Sequence, residues 1–167
     1  LTNVVILDAT GHSVTISGQS GTNLSSQSRL FELEPGISLF VTNLKFANGQ
    51  STNGAAFLIR SNSFLFASDC VFSNNVVNGS NGLAGASART STVTGSASDG
   101  RSGTAAASAA GGAIFNFGHA WFSHCSFLTN GVIAGNGGSG GNGGNGTVSG
   151  GDGGHGGRGG AAMGGAI

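Results

Sequence analysis

Apolar residues come in short bursts separated by Gly, Asn and Ser. Val4-Val5-Ile6-Leu7, Ser13-Val14-Thr15-Ile16-Ser17 and Ser38-Leu39-Phe40-Val41-Thr42 are β-branched or aromatic and four or five residues long, the pattern of half-buried strands. No window of about twelve residues combines a 3.6-residue apolar period with helix formers. The pattern predicts an all-β chain.

The bursts repeat. Asn43-Leu44-Lys45-Phe46-Ala47-Asn48-Gly49 aligns with Asp69-Cys70-Val71-Phe72-Ser73-Asn74-Asn75, 26 residues on, and with His124-Cys125-Ser126-Phe127-Leu128-Thr129-Asn130 after 55 more. Upstream, Leu39 and Val41 align with Leu65 and Ala67, then with Ala120 and Phe122. A second anchor recurs as Gly54-Ala55-Ala56-Phe57, Gly111-Gly112-Ala113-Ile114 and Gly164-Gly165-Ala166-Ile167. A unit of two or three short strands cannot bury its own apolar face, whereas stacked units can. The expectation is a β-solenoid of about four to five coils, each about 4.8 Å above the last. Leu44, Cys70 and Cys125 then form one inward ladder and Phe46, Phe72 and Phe127 another. Lys45, Val71 and Ser126 point outward between them. Asn43, Asp69 and His124 fall at a bend, where Asn and Asp are at home.

Composition divides the chain. Residues 1–77 hold 27 of the 39 Leu, Ile, Val and Phe, whereas residues 134–167 hold only Val148 and Ile167. The organisation expected is β-helix coils over 1–77, a Gly/Ala/Ser-rich insert over 78–110, a coil over 111–133, a Gly-triplet insert over 134–163 and the start of another coil at 164–167. In 135–146 the triplets read Gly-Asn-Gly, Gly-Ser-Gly, Gly-Asn-Gly, Gly-Asn-Gly; after Thr147-Val148-Ser149 they resume as Gly-Gly-Asp, Gly-Gly-His, Gly-Gly-Arg. Three residues per turn is the polyproline II repeat. Two bare sides would let such helices approach closely, with Asn, Ser, Asp, His and Arg on the third. The alternatives are an ordered out-and-back hairpin of this kind and a flexible Gly linker. Residues 78–110 show no such phase.

The stretches GHSVTISG, LFELEPGISLFVTNLKFANG and GGAIFNFGHAWFSHCSFLTN resemble the right-handed parallel β-helix repeats of large bacterial surface proteins, the polymorphic outer-membrane proteins and haemagglutinin-like adhesins. Phe72…Asn75 and Phe127…Asn130 fit the Phe-x-x-Asn motif of that group, and Gly111-Gly112-Ala113-Ile114 and Gly164-Gly165-Ala166-Ile167 fit its Gly-Gly-Ala-Ile motif; Phe46…Gly49 departs at its last position. The resemblance covers 1–77, 111–133 and the final tetrapeptide. It implies a right-handed coil and a passenger, adhesin or scaffold role at the cell surface or outside the cell. The Gly triplets resemble the polyglycine II bundles of springtail antifreeze proteins and some phage adhesins.

Charge narrows the partners. Six Lys and Arg balance six Asp and Glu in 167 residues, for zero net charge, too few cations for a nucleic-acid surface. No run of 18 apolar residues offers a membrane span. Both ends read as cut within a repeat, so the chain is expected to be either a fragment of a longer surface protein or a subunit that self-associates end to end, by strand addition into a fibre.

Candidate chemistry is sparse. Glycoside cleavage needs paired carboxylates; the acids are Asp8, Glu32, Glu34, Asp69, Asp99 and Asp152. Glu32 and Glu34 share a face, with Leu58 and Arg60 expected on the next coil, so an Arg60–Glu34 surface pair is expected rather than a catalytic dyad. A polysaccharide-active enzyme remains the alternative. Asp69 beside His124 suggests either a cation or acid–base site or hydrogen bonding between turns. Asp152 and His155 lack the repeat of calcium β-rolls, and no metal, cofactor or catalytic residue is expected. Cys70 and Cys125 are expected to be buried free thiols, since overlaid side chains hold their Cβ atoms farther apart than a disulfide prefers. Phe40, Phe66 and Trp121 share an outward register. This aromatic row is either covered by an insert or a contact surface for a partner chain or glycan. The row Thr42, Ser68 and Ser123 is a short, Ser-interrupted version of an ice-binding Thr ladder, the third functional alternative.

Overall fold

The computed structural model describes residues 3–18, 28–89 and 95–167. The parts of the expected coils and first insert at 1–2, 19–27 and 90–94 lie outside the described residues. The described residues form strands without a helix, as the apolar pattern predicts. They divide into two units, one of 1–78, 109–133 and 162–167 and the other of 79–108 and 134–161.

The first unit consists of parallel sheets. Sheet A joins Asn3–Asp8, Ile37–Thr42, Phe64–Ser68 and His119–Ser123. Sheet B joins Val14–Ser17, Leu44–Ala47, Val71–Ser73 and Ser126–Leu128. Sheet C holds Gln50–Ser51, Val76–Asn78 and Gly131–Ile133, and sheet D holds Phe31–Leu33, Phe57–Ile59 and Ile114–Asn116. A fifth pair, Ala109–Ala110 with Ala162–Met163, begins the return from sheet C towards sheet D. From Ile37 onward the described strands visit A, B, C and D in the same order on successive circuits. Registers are constant: Phe40 pairs with Phe66 and Phe66 with Trp121, while Lys45 pairs with Val71 and Val71 with Ser126.

Alternation within each strand sends one set of side chains inward. Leu39, Val41, Leu65 and Ala67 of sheet A meet Leu44, Phe46, Cys70 and Phe72 of sheet B and Leu33, Phe57, Ile59 and Ile114 of sheet D in one buried core. Aromatic rings stack between circuits: Phe46 on Phe72 at 5.2 Å and Phe72 on Phe127 at 4.7 Å. Phe57 packs edge-on against both Phe46 and Phe72.

The turns between sheets carry the left-handed backbone. Between A and B, Asn43, Asp69 and His124 have φ of 56°, 52° and 50°. Between B and C, Asn48, Asn74 and Thr129 have φ of 58°, 54° and 53°. Asn and Asp tolerate this region because their side chains hydrogen-bond locally. Beyond sheet C the same role passes to Gly54, Gly111 and Gly164, all at positive φ, so the recurrent Gly-Gly-Ala-Ile motif opens on a turn that needs glycine.

The second unit corrects the reading of 78–110 as unphased. Residues 79–89, 95–108, 134–146 and 149–161 form four segments joined by backbone hydrogen bonds at every third residue. Gly82, Gly85 and Ala88 donate to the carbonyls of Asn136, Ser139 and Asn142. Gly100, Gly103 and Ala106 donate to those of Asp152, His155 and Arg158. Arg101, Thr104 and Ala107 donate to Ala86, Leu83 and Ser80, and Gly138, Gly141 and Gly144 to Thr104, Arg101 and Ser98. Gly151, Gly154, Gly157 and Gly160 close the fourth segment on the third, donating to Gly144, Gly141, Gly138 and Gly135. The two triplet runs are therefore the out-and-back hairpin anticipated above, paired with a second such hairpin from 79–108. Three-residue spacing and the lack of bonds within a segment are the features of polyproline II geometry. The phase of 79–108 rests on Gly79, Gly82, Gly85, Gly100 and Gly103, with Ala88, Ala97 and Ala106 in the remaining places; one small residue per triplet suffices there. The glycine-rich unit begins at Gly79 and ends at Ala161, whereas composition put the insert boundaries at 78, 110 and 163.

Candidate functional site: ladders and an outward aromatic row

Phe40, Phe66 and Trp121 stand on neighbouring strands of sheet A and point out of the core. Phe40 stacks on Phe66 at 4.6 Å and 6°, and Phe66 on Trp121 at 5.4 Å and 5°. Trp121 is 59% exposed. Beside this row Phe64 stacks on His119 at 4.8 Å. On the fourth strand Ile6, paired with Phe40, is 68% exposed. An apolar strip therefore crosses all four strands, flanked by the hydroxyl row Thr42, Ser68 and Ser123. A groove of about 310 Å³ runs between the strip and that row. Because the rings lie flat on one another, they present edges outward. Only the two end faces of the row, that of Phe40 on the side of Ile6 and that of Trp121 away from Phe66, carry no other ring of the row, so a sugar seeking CH contact with ring faces meets the ends of a stack rather than three separate platforms.

The bend column Asn43, Asp69 and His124 behaves unevenly. Asn43 donates through Nδ2 to the carbonyls of Ala9 at 3.1 Å and His12 at 3.4 Å, bracing the preceding turn. Asp69 and His124 do not share a hydrogen bond: Nδ1 and Oδ1 are 3.9 Å apart on exposed side chains, and Nδ1 lies 3.1 Å from Ser123 Oγ. Side-chain hydrogen bonding between turns, expected along this column, is thus made by Asn43 alone among the described residues, while the backbone N–H groups of Asn43 and Asp69 donate to Ser68 O and Ser123 O of the next circuit.

It is made instead one column further on. Asn75, fully buried, accepts from Gly49 N at 2.9 Å and donates to Phe46 O at 3.1 Å and to Asn130 Oδ1 at 3.0 Å. Asn130 repeats the pattern, accepting from Asn75 N and donating to Phe72 O. Each amide serves the circuit before it. This gives the last residue of Phe-x-x-Asn a physical role. The departure at Gly49 has a cause too, since a Cβ there would run into the carbonyl of Ala55. The signal for this column is the last residue of Phe-x-x-Asn, whose buried hydrogen bonds no spacing along the chain reveals.

The thiols of Cys70 and Cys125 are free, Cys70 buried and Cys125 half-buried. Cys70 Sγ lies 3.1 Å from Ser68 O. Burial pushes the Cys70 thiol above its ordinary pKa, which makes it a poor nucleophile. Leu44 and Cys70 lie in the buried core and Cys125 packs against it.

The acids of sheet D are held by arginines. Glu32 pairs with Arg60 through Nε at 2.8 Å and again through Nη2, and with Arg29 at 2.7 Å. The expected Arg60–Glu34 contact exists at 3.5 Å on exposed side chains, but Glu32 is the main partner. The Arg60 guanidinium holds the Glu32 carboxyl below the usual carboxylate range, aided by Arg29. Arg29 also donates to Ser51 Oγ, Asn53 O and Gly54 O, tying the start of sheet D to the glycine turn. Nothing in the sequence marked this role. Glu32, its charge taken up by two guanidinium groups, is poorly placed for acid–base exchange.

Among the described residues no three His, Cys, Asp or Glu gather as a metal site, and no helix is long and apolar enough to cross a membrane. No protein family, curated protein or solved structure matches this chain.

Proposed function

We propose that one unit of this chain is a right-handed parallel β-helix and the other a polyglycine II bundle, and that the chain serves as a non-catalytic structural or adhesive element outside the cell, self-associating end to end. The observation that carries the reading is the in-register repetition of like side chains along the strand columns. Phe46, Phe72 and Phe127 stack in the core, and Asn75 and Asn130 hand hydrogen bonds from circuit to circuit. Such a construction is stiff along the stacking direction and extends by adding strands. Right-handedness follows the general rule for parallel crossovers and the resemblance noted above; the extracellular placement rests on that resemblance. The exposed strip Ile6, Phe40, Phe66 and Trp121 is the surface on which adhesion to a partner chain or glycan would act.

Negative-stain microscopy beside size-exclusion chromatography tests this reading. Uniform fibres or a concentration-dependent ladder of oligomers are the expected result, with glycan or cell-surface binding that weakens in Trp121→Ala. A monomer at every concentration, or turnover of a polysaccharide, would overturn it.

A further inference from the structure

Within the glycine-rich unit, two layers are related by a simple shift along the sequence. Layer one comprises 79–89 and 95–108, layer two 134–146 and 149–161. Gly82, Gly85 and Ala88 of layer one, with Gly100, Gly103 and Ala106, send six N–H groups into six carbonyls of layer two. Their counterparts in layer two, Gly137, Gly140, Gly143, Gly153, Gly156 and Gly159, make no hydrogen bond among the described residues. The six layer-two carbonyls that accept, those of Asn136, Ser139, Asn142, Asp152, His155 and Arg158, likewise have counterparts in layer one: Asn81, Ala84, Ser87, Asp99, Ser102 and Ala105. None of these accepts a backbone hydrogen bond among the described residues. One face of the unit is thus a register of free donors and the other a register of free acceptors, with the spacing that already joins the two layers.

Two further features repeat in the same register. Side chains of layer one cap layer-two amides: Asn81 Oδ1 accepts from Asn136 N at 2.8 Å, Ser87 Oγ from Asn142 N at 3.1 Å and Asp99 Oδ1 from Asp152 N at 2.8 Å. The layer-two residues one shift on, Asn136, Asn142 and Asp152, bear acceptor groups and are exposed. The glycines agree. At Gly100 and Gly103 a Cβ would run into the carbonyls of Gly141 and Gly138, so glycine is required by the neighbouring layer. At their counterparts Gly153 and Gly156, and at Gly159, a Cβ would meet nothing nearer than 3.7, 3.8 and 3.8 Å. Nothing within the chain requires glycine at these exposed positions, yet the triplet continues to supply it.

We propose that the donor face of the glycine-rich unit, 134–146 with 149–161, is a docking surface for the acceptor face, 79–89 with 95–108, of a second copy of this chain, which adds to it as a third polyglycine II layer. The complementarity is heterologous, so repetition of the contact builds an open stack. The proposal deepens the self-association part of the reading above, yet it depends on backbone groups of the glycine-rich unit and not on strand edges.

The test is amide hydrogen exchange on the full chain, below and above the concentration at which it associates, with Gly153→Val/Gly156→Val/Gly159→Val as the variant. Three residues advance about 9 Å in this helix, so the valines would stand along one of the two segments of the docking face. The proposal expects protection to appear on association at Gly137, Gly140, Gly143, Gly153, Gly156 and Gly159. It expects the variant to associate about tenfold more weakly or worse, while the amides of Gly138, Gly141 and Gly144 stay protected as evidence of a folded unit. A variant that lost that internal protection would be replaced by single Gly156→Ser, for which the same weakening is required in smaller measure. Association accompanied by protection only in the outer strands of sheets A and B, with the variant unaffected, would overturn this inference and leave strand addition standing. A monomer throughout would overturn both.

Discussion

Asn75 is the position at which the fold can be tested with one substitution. Its side chain is fully buried and supplies the partner of Gly49 N–H and of Phe46 C=O, both on buried residues of the preceding circuit. Asn75→Ala leaves Gly49 N–H without its acceptor, at about 1–3 kcal/mol for a buried group left unpaired, and removes a donor to Phe46 C=O, at about 1 kcal/mol more. Allowing for some relaxation, the expected loss is about 3 kcal/mol. Asn130→Ala makes the same chemical change where the side chain is only half-buried, so water can replace the amide and the loss should be nearer 1 kcal/mol. Asn75→Asp keeps the shape but turns acceptor oxygens on the Phe46 carbonyl and Asn130 Oδ1. Burial and these neighbours raise the pKa of the new carboxyl in the folded state. That variant should therefore be most stable below the unfolded pKa of about 3.9 and lose stability as pH rises through the folded value. Urea unfolding followed by circular dichroism, with the slope m held common, reads all three. The reasoning fails if Asn75→Ala lies within about 0.5 kcal/mol of the parent, or if Asn130→Ala costs as much.

Four other outcomes are expected. Gly154→Ala, whose Cβ would run into Arg101 O, should abolish exchange protection at Gly138, Gly141 and Gly144, whereas Gly153→Ala, with 3.7 Å of room, should leave it intact. Thr129→Asn should raise the unfolding free energy read from urea curves by up to about 1 kcal/mol, because a β-branched residue is poorly suited to φ of 53° and Asn tolerates it. Glu32 is held ionised by Arg60 and Arg29, so its contribution is present at neutral pH and lost as pH falls through its lowered folded pKa; Arg60→Ala should flatten the acid limb of stability against pH. Iodoacetamide at pH 8 should alkylate Cys125 well before Cys70, and equal rates by mass spectrometry would contradict the buried, raised-pKa thiol.

What could be read along the chain was whatever repeats in kind. The columns through Phe46, Phe72 and Phe127 and through Phe40, Phe66 and Trp121 were aligned correctly because stacking in a parallel sheet places like on like. Where one member departs from type, the column was harder to see. Thr129 hides the left-handed turn that Asn48 and Asn74 announce. Arg29 falls in no repeat, so its place at the junction of Glu32, Ser51 and Gly54 was invisible.

The sequence by itself determined the all-β class, the recurrence at 26 and 55 residues and the three-residue phase of 135–160, since each is a local periodicity of side chains. Only the tertiary structure decided that 79–108 shares that phase. A segment that bonds only to its neighbours at every third residue owes its order to them: the doubly bare triplets of 134–161 let the singly bare triplets of 79–108 come close enough to bond. The choice between Glu32 and Glu34 for Arg60, and between Asn43 and Asn75 as the link from turn to turn, was settled the same way, by which atoms packing brings within reach.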